Sequence, residues 1–298
     1  MAENTKRKRR LGDRYDGYLV RNLDPVFGMI PYIMRTRLDS QIFFEEQIDI
    51  SGLRKFIVEN RESIPGLSMY NLFIAALVRT IVQRPRINRF ISGRKIFSRS
   101  YIRISLTVKK DMHTDGEEGN LMPDFEPTDT LREVTEKFNA ALAEVRAEEE
   151  AAKADGNGTD VLVKLLNFLP GFLKKFVVWT VRSLDSVGLM PKVINKFSPF
   201  HSSAYVTNVG SIGLNPVYHH LYEFGTTSVF MAIGKKEAIN VPERDGTTTH
   251  KHVINMRFVL DERICDGYYF ASAIKLFKYY VKNPELLLLP PDYISEDY

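Results

Sequence analysis

The chain has 298 residues, 44% hydrophobic and 26% charged, an ordinary balance for a folded protein able to bury a large core. A net charge of +4 supplies no global field of the kind a nucleic-acid binder uses. The single cysteine, Cys265, excludes an internal disulfide framework and points to a reducing, cytoplasmic setting. No metal site is expected, and the length is compatible with one big domain or two small ones.

Residues 1–39 read as a basic and aromatic arm. The run Lys6–Arg10 reads as a solvated tail in preference to a phosphate or nucleic-acid contact. Asp13, Arg14 and Asp16 break the apolar stretch that a secretory signal would need. Phe44, Ile48 and Ile50 alternate and predict a strand, with Glu46 the exception. Asp49 or Ser51 then caps a short helix over Leu53–Val58. Pro65–Gly66 marks a turn, and Ser68 caps a second helix. Its face of Met69, Leu72, Phe73, Ala76, Leu77 and Ile81 should dock on a sheet before Pro85 ends it.

Ile102, Ile104, Leu106 and Val108 alternate with polar residues, predicting a half-buried strand. Residues 111–129 read as an acidic loop. Thr130 and Glu133 form a capping box for a helix with Leu131, Val134, Phe138, Leu142 and Val145 on one face, fading into the charged run Glu148–Lys153 and a Gly156–Gly158 loop. The most apolar stretch, Val161–Val181, is interrupted by Lys164, Pro170–Gly171, Lys174 and Lys175, so it falls short of the ~20 residues of a membrane span. Residues 161–197 predict two or three amphipathic helical pieces. Ser203–Asn208, Thr227–Gly234 and His252–Leu260 read as strands. A last helix carries Phe270, Ala273, Ile274, Phe277 and Val281 and stops at Asn283–Pro284. Helices and strands mix without a βαβ rhythm, which argues for an α+β fold in one domain.

Three stretches, in order, resemble the catalytic acyltransferases of 2-oxoacid dehydrogenase complexes and chloramphenicol acetyltransferase. Asp261-Glu-Arg-Ile-Cys-Asp-Gly267, with the helix after it and Asn283-Pro-Glu-Leu-Leu, resembles the C-terminal D-H-R-x-x-D-G element. Val206-Thr-Asn-Val-Gly-Ser-Ile-Gly213 resembles the S-N-x-G-x-x-G segment, and Ile48–Asn88, closing on Pro85-Arg-Ile-Asn88, resembles the region ending in P-x-x-N. The resemblance covers most of residues 40–290. It implies a chloramphenicol acetyltransferase-like α+β domain over 40–298, with an apolar helical insertion at about 160–200, assembled as a homotrimer with sites at subunit interfaces. It also implies coenzyme A or an acyl-CoA thioester as substrate, and no covalently bound cofactor. No lipoyl-carrier domain or linker to a subunit-binding domain is visible, so an acyl group would arrive on free coenzyme A or a separate carrier.

Carried over residue by residue, Thr207 takes the oxyanion-donor position, a role worth about 3 kcal/mol of barrier; it is equally an ordinary strand residue. Asp266, Gly267 and Arg263 read as structural motif residues, the aspartate by pairing with an arginine as in the family. Cys265 reads as a buried apolar filler in preference to a reactive thiol.

The family's catalytic histidine is replaced by Glu262. An unperturbed glutamate is a weaker base by about two pKa units, and once protonated it is neutral where an imidazolium would stabilise the oxyanion. Three readings stay open. Glu262 is the base, acting on an acidic thiol or on a hydroxyl; His252, His219 or His220 supplies the base from elsewhere; or the fold has lost acyl transfer and serves as a ligand-binding or scaffold protein. Phe168, Phe172, Phe176, Trp179 and Leu184, among Lys174, Lys175 and Arg182, would wall a long-acyl pocket or lie on a membrane surface. Burial on the sheet or on a neighbouring subunit is the preferred expectation.

Overall fold

The computed structural model describes residues 7–109, 118–155 and 168–297. Residues 110–117, the Gly156–Gly158 loop and the start of the apolar stretch at 161–167 lie outside the described residues, as does Lys6.

Among the described residues, ten strands form two sheets. β1 (Gly17–Leu19), β4 (Lys95–Arg99) and β3 (Arg89–Ser92) make a small antiparallel sheet in the order β1-β4-β3. The main sheet contains β2 (Gln41–Asp49), β10 (Thr248–Asp261), β9 (Val229–Pro242), β8 (Ala204–Asn208), β5 (Ile102–Lys109) and β6 (Glu118–Leu121), hydrogen-bonded in that order, with β7 (Asp124–Phe125) also on β5. β8 runs parallel to both β5 and β9, and the other pairings are antiparallel. The helices are α1 (Pro25–Ile33), α2 (Leu53–Asn60), α3 (Met69–Gln83), α4 (Leu131–Asp155), α5 (Gly171–Ser186), α6 (Lys192–Phe197) and α7 (Gly267–Lys282). The architecture is α+β, as the sequence predicts.

One face of the main sheet is dry. Val206, Met231, Phe258 and Leu260 point into a continuous core with α3, α4 and α7. α3 is buried from Asn71 through Gln83, which the apolar run of that helix requires. Its capping box uses Ser68 and Asn71, and at α4 the predicted box forms in one half, the Glu133 carboxylate accepting from the Thr130 N–H and hydroxyl. α2 differs: its N-cap is Gly52, with no side-chain cap, while Asp49 instead closes a local turn on the Ser51 N–H.

Two expectations are corrected. The acidic segment predicted as a loop over 111–129 carries β6 and β7, because β5 has a free edge there to pair with. The half-buried reading of β5 holds at Arg103 and Thr107, which are partly exposed, and fails at Ser105, fully buried between β8 and the 199–203 segment.

Candidate functional site

The other face of the main sheet carries the candidate chemistry. β8 alternates, so Tyr205 and Thr207 point away from the helices. Tyr205 stacks on Phe230 of β9, and Leu221, Ala232 and Val259 complete a small second cluster, with Tyr222 packed against it. Across this face Thr207 is paired with Ala232, Ala232 with Arg257 and Arg257 with Glu45.

Thr207 is half-buried, and its hydroxyl has no hydrogen-bond partner among the described residues. It is therefore free to donate. The next segment forms a 3₁₀ turn, Val209–Ile212, ended by Gly213 in the left-handed region at φ 78°. Gly210 is required there, because a Cβ would overlap the Gly234 carbonyl of the neighbouring strand. β9 holds an extra residue at that point, shifting its register against β10 between Ile254 and Met256.

The segment 214–224 returns over the same face. His219 stacks on Phe230 with ring centroids 4.2 Å apart and planes 5° from parallel. Burial against that ring lowers its pKa from the ordinary histidine value. His220 is exposed, its ring 4.8 Å from that of His219. Arg257 lies 4.3 Å over the Tyr218 ring, donates to the Pro216 carbonyl at 2.8 Å and pairs with Glu45 at 3.3 Å. The Glu45, Tyr218 and Arg257 triangle had no signal in the sequence, because its members lie on three elements that only the tertiary fold brings together.

Glu262 stands at the opposite end of β10. Its N–H donates to the Ser40 carbonyl, while its exposed carboxylate has no partner among the described residues. The flanking residues are committed to architecture. Asp261 is fully buried and accepts from Arg263 Nε and Nη2, both at 2.8 Å. Arg37 lies 3.5 Å from the same carboxylate. Burial pulls the Arg37 pKa below its usual value, against the opposing pull of Asp261. Arg263 also donates to the Met34 and Arg35 carbonyls, so it is spent on this corner and is no spare charge for a reaction.

Asp266 accepts from the Tyr269 N–H and caps α7, and no arginine pairs with it among the described residues. Gly267 is the first residue of α7. Cys265 is buried and burial pushes its thiol pKa up, as a packing residue requires. Arg89 joins this loop to a cleft of about 640 Å³: it donates to the Ile264 carbonyl and pairs at 2.6 Å with Asp297, which lines the cleft with Asn88, Arg99 and Tyr101.

Within one chain the fold does not bring Glu262 and Thr207 together. Thr207 is level with Arg257, five residues before Glu262 and two strands across, about 20 Å by strand geometry. His252 is exposed near the far end of β10, about 33 Å from Glu262 by the same rise. His219 is the histidine that the fold places on the face of Thr207.

A second constellation escaped the sequence reading. His201 Nδ1 is 2.7 Å from Ser198 Oγ, and its Nε2 is 3.5 Å from Asp185 Oδ2. These are the residue types of a nucleophilic triad. However, His201 is completely buried, Ser198 is buried, and Asp185 is held by Arg14 at 2.7 Å. A hydroxyl closed in this way meets no substrate, so the group ties α5 to the N-terminal arm. Among the described residues no three metal-ligating side chains converge.

Residues 200–289 match the profile of the 2-oxoacid dehydrogenases acyltransferase family (catalytic domain). Among solved structures, a probable dihydrolipoamide acetyltransferase from Listeria monocytogenes is 13% identical, with 93% of this chain and 97% of that one covered and a TM-score of 0.55. The cubic core of the pyruvate dehydrogenase multienzyme complex is 14% identical over 89% of each chain, with a TM-score of 0.53. A dihydrolipoamide acetyltransferase of Azotobacter vinelandii is 14% identical over 89% of each chain, with a TM-score of 0.51. Its structure was studied for the catalytic roles of a serine, a histidine and an asparagine, the last two four residues apart. No curated protein matches the sequence. The fold is thus the chloramphenicol acetyltransferase-like α+β fold of these acetyltransferase cores, and the family likeness in sequence is concentrated in the C-terminal third.

Proposed function

We propose that the chain is an acyltransferase-like protein that works as a homotrimer, with Glu262 of one subunit meeting Thr207 of another. The observation that carries this reading is the pairing of a free Thr207 hydroxyl on an open sheet face with a free Glu262 carboxylate about 20 Å away on the same chain. Neither has a partner of its own, and a second copy is the simplest way to join them.

In this reading an acyl-CoA thioester is the donor and a thiol or hydroxyl the acceptor. Its pantetheine arm would approach along the Asn88–Asp297 cleft, which the Arg89–Asp297 pair connects to the Asp261–Gly267 loop. The Glu262 carboxylate takes the acceptor's proton as the acceptor attacks the thioester carbon. Thr207 donates to the oxygen that becomes negative. Collapse breaks the C–S bond and expels the coenzyme A thiolate, which takes from Glu262 the proton that came from the acceptor. The carboxylate is exposed in the single chain, so the desolvation a carboxyl base needs must come from the covering subunit.

The test is turnover of acyl-CoA by the purified trimer. Glu262→Gln should abolish it and Thr207→Val should lower it about a hundredfold, whereas Glu262→His should raise it by restoring an imidazole. Unchanged turnover in Glu262→Gln removes Glu262 as the base.

One observation favours a second reading, a ligand-binding or scaffold protein. Glu262 stands where the resemblance places the catalytic histidine, so the imidazole of that position is not retained, while Asp266 keeps the aspartate of the D-H-R-x-x-D-G element. This reading predicts no turnover with any acyl donor and no gain in Glu262→His.

A further inference from the structure

Within the single chain α5 does not bury its apolar stripe on the sheet, one of the two expected burial sites, the other being a neighbouring subunit. Phe172, Phe176 and Trp179 follow one another at helical spacing on its outer side and are 74%, 59% and 63% exposed. The Phe176 and Trp179 rings stack 6.0 Å apart, so the stripe is continuous. Val187, Leu189, Val193 and Phe197, further along the same segment, are each more than 60% exposed as well. The inner side is fixed by a polar clamp: Asp185 is buried against Arg14, and Ser92 Oγ donates to its carbonyl. The clamp leaves the aromatic side facing out.

The charges on this segment have one sign. Over Gly171–Phe197 they are Lys174, Lys175, Arg182, Lys192 and Lys196, apart from Asp185, which is buried and neutralised. Lys174, Lys175 and Arg182 line an open groove of about 560 Å³ together with Trp179. Aromatic and aliphatic side chains with a purely basic border are the composition of a helix that lies in a lipid interface. A contiguous exposed apolar surface of this kind calls for a partner.

We propose that this face, Gly171–Phe197, docks on the surface of an anionic phospholipid bilayer, with Phe172, Phe176 and Trp179 in the acyl boundary and the cations among the phosphates. A second copy of the same face is the poorer occupant, because five cations would oppose five. No helix among the described residues is long and apolar enough to cross a membrane, so the helix lies along the surface. This inference is independent of any catalytic activity.

Trp179 is the only tryptophan, so its emission reports the proposed contact in the unmodified protein. With vesicles of phosphatidylcholine and phosphatidylglycerol the emission should shift to the blue and the protein should co-sediment. With phosphatidylcholine alone both effects should fall by roughly a hundredfold in lipid affinity. Lys174→Glu with Lys175→Glu and Arg182→Glu should give a similar loss, and Phe172→Ser with Phe176→Ser at least about a tenfold loss. Circular dichroism and melting serve as fold controls. The proposal is overturned if Trp179 emission is unmoved by anionic vesicles, or if binding ignores lipid charge. It is also overturned if the two serine substitutions dissociate an oligomer without touching lipid binding, which would assign the stripe to a second copy.

Discussion

The two faces of the main sheet obey different rules. Beneath α3, α4 and α7 the strands present Val206, Met231, Phe258 and Leu260 to a core sealed from water. On the other side the same strands present Tyr205, Thr207, Arg257 and Glu45, while Phe43, Ile212, Leu214 and Tyr218 stay substantially exposed. The first face is held chiefly by burial, with Lys278–Glu46 and Tyr280–Gln83 as polar ties. The second is held by the small Tyr205, Leu221, Phe230, Ala232 and Val259 cluster and by pairwise devices, a guanidinium on a ring and an imidazole on a ring, each worth about a kcal/mol or less. A face secured this lightly leaves its polar groups available to something that arrives later, and the candidate chemistry sits there for that reason.

Substitutions on the two sides should separate them. The largest effect is expected from Phe270→Ala on α7, where the ring is buried in the core; urea unfolding should show a loss of about 3–5 kcal/mol. Loss of less than 1 kcal/mol there would mean that the sealed face is not what carries stability. Next comes Gly210→Ala on the open side. Its Cβ would collide with the Gly234 carbonyl, and a collision with backbone has no side chain to move aside. A cost of about 1–3 kcal/mol is expected. A larger effect on any Thr207-dependent turnover than on melting would show that the open face is a positioning device.

The sealed face was the more legible in sequence, for a physical reason. α3, α4 and α7 each bury a stripe that recurs every three to four residues, and β8 to β10 are rich in branched and aromatic residues. The hairpin β3–β4 was not legible. Its strands begin or end in Arg89 and Arg99, which are buried by Asp297 and by the Thr226 carbonyl and hydroxyl. An arginine in a sequence reads as solvent-facing until its partner, here 208 residues away, is known. At the candidate site, Thr207 and Glu262 were found through motif resemblance. The stack of Arg257 on Tyr218 and that of His219 on Phe230 depend on where the 214–224 segment returns, which no local pattern encodes. The outward turn of α5 was hidden likewise, since its periodicity identifies an apolar stripe and the Arg14–Asp185 clamp decides which way it points.

Smaller effects test the lightly held side. Phe43 is 53% exposed and meets the Tyr218 ring edge-on at 5.5 Å. Phe43→Ala should cost about 1 kcal/mol or less in the isolated chain, and more if a second subunit covers it in the assembly. Comparing melting at low and high protein concentration, with the oligomeric state measured at each, distinguishes the two.

The finest test is the protonation of His219. Stacking on Phe230 removes water from the imidazole and disfavours its charged form, so its folded pKa lies below the unfolded one. Between those two values the unfolded chain binds more protons than the folded one, and stability therefore rises with pH across the window. The stacking contribution is complete above the unfolded histidine value of about 6.5 and is lost as pH falls toward the folded pKa. An NMR titration should place His219 below the ordinary histidine value of about 6.5. Phe230→Leu should move His219 upward and weaken the acid dependence of melting, because the ring that desolvates it is gone. If His219 titrates at the ordinary histidine value, or if Phe230→Leu leaves it unmoved, the segment 214–224 does not rest on the sheet, and the open face is barer than the stacking implies.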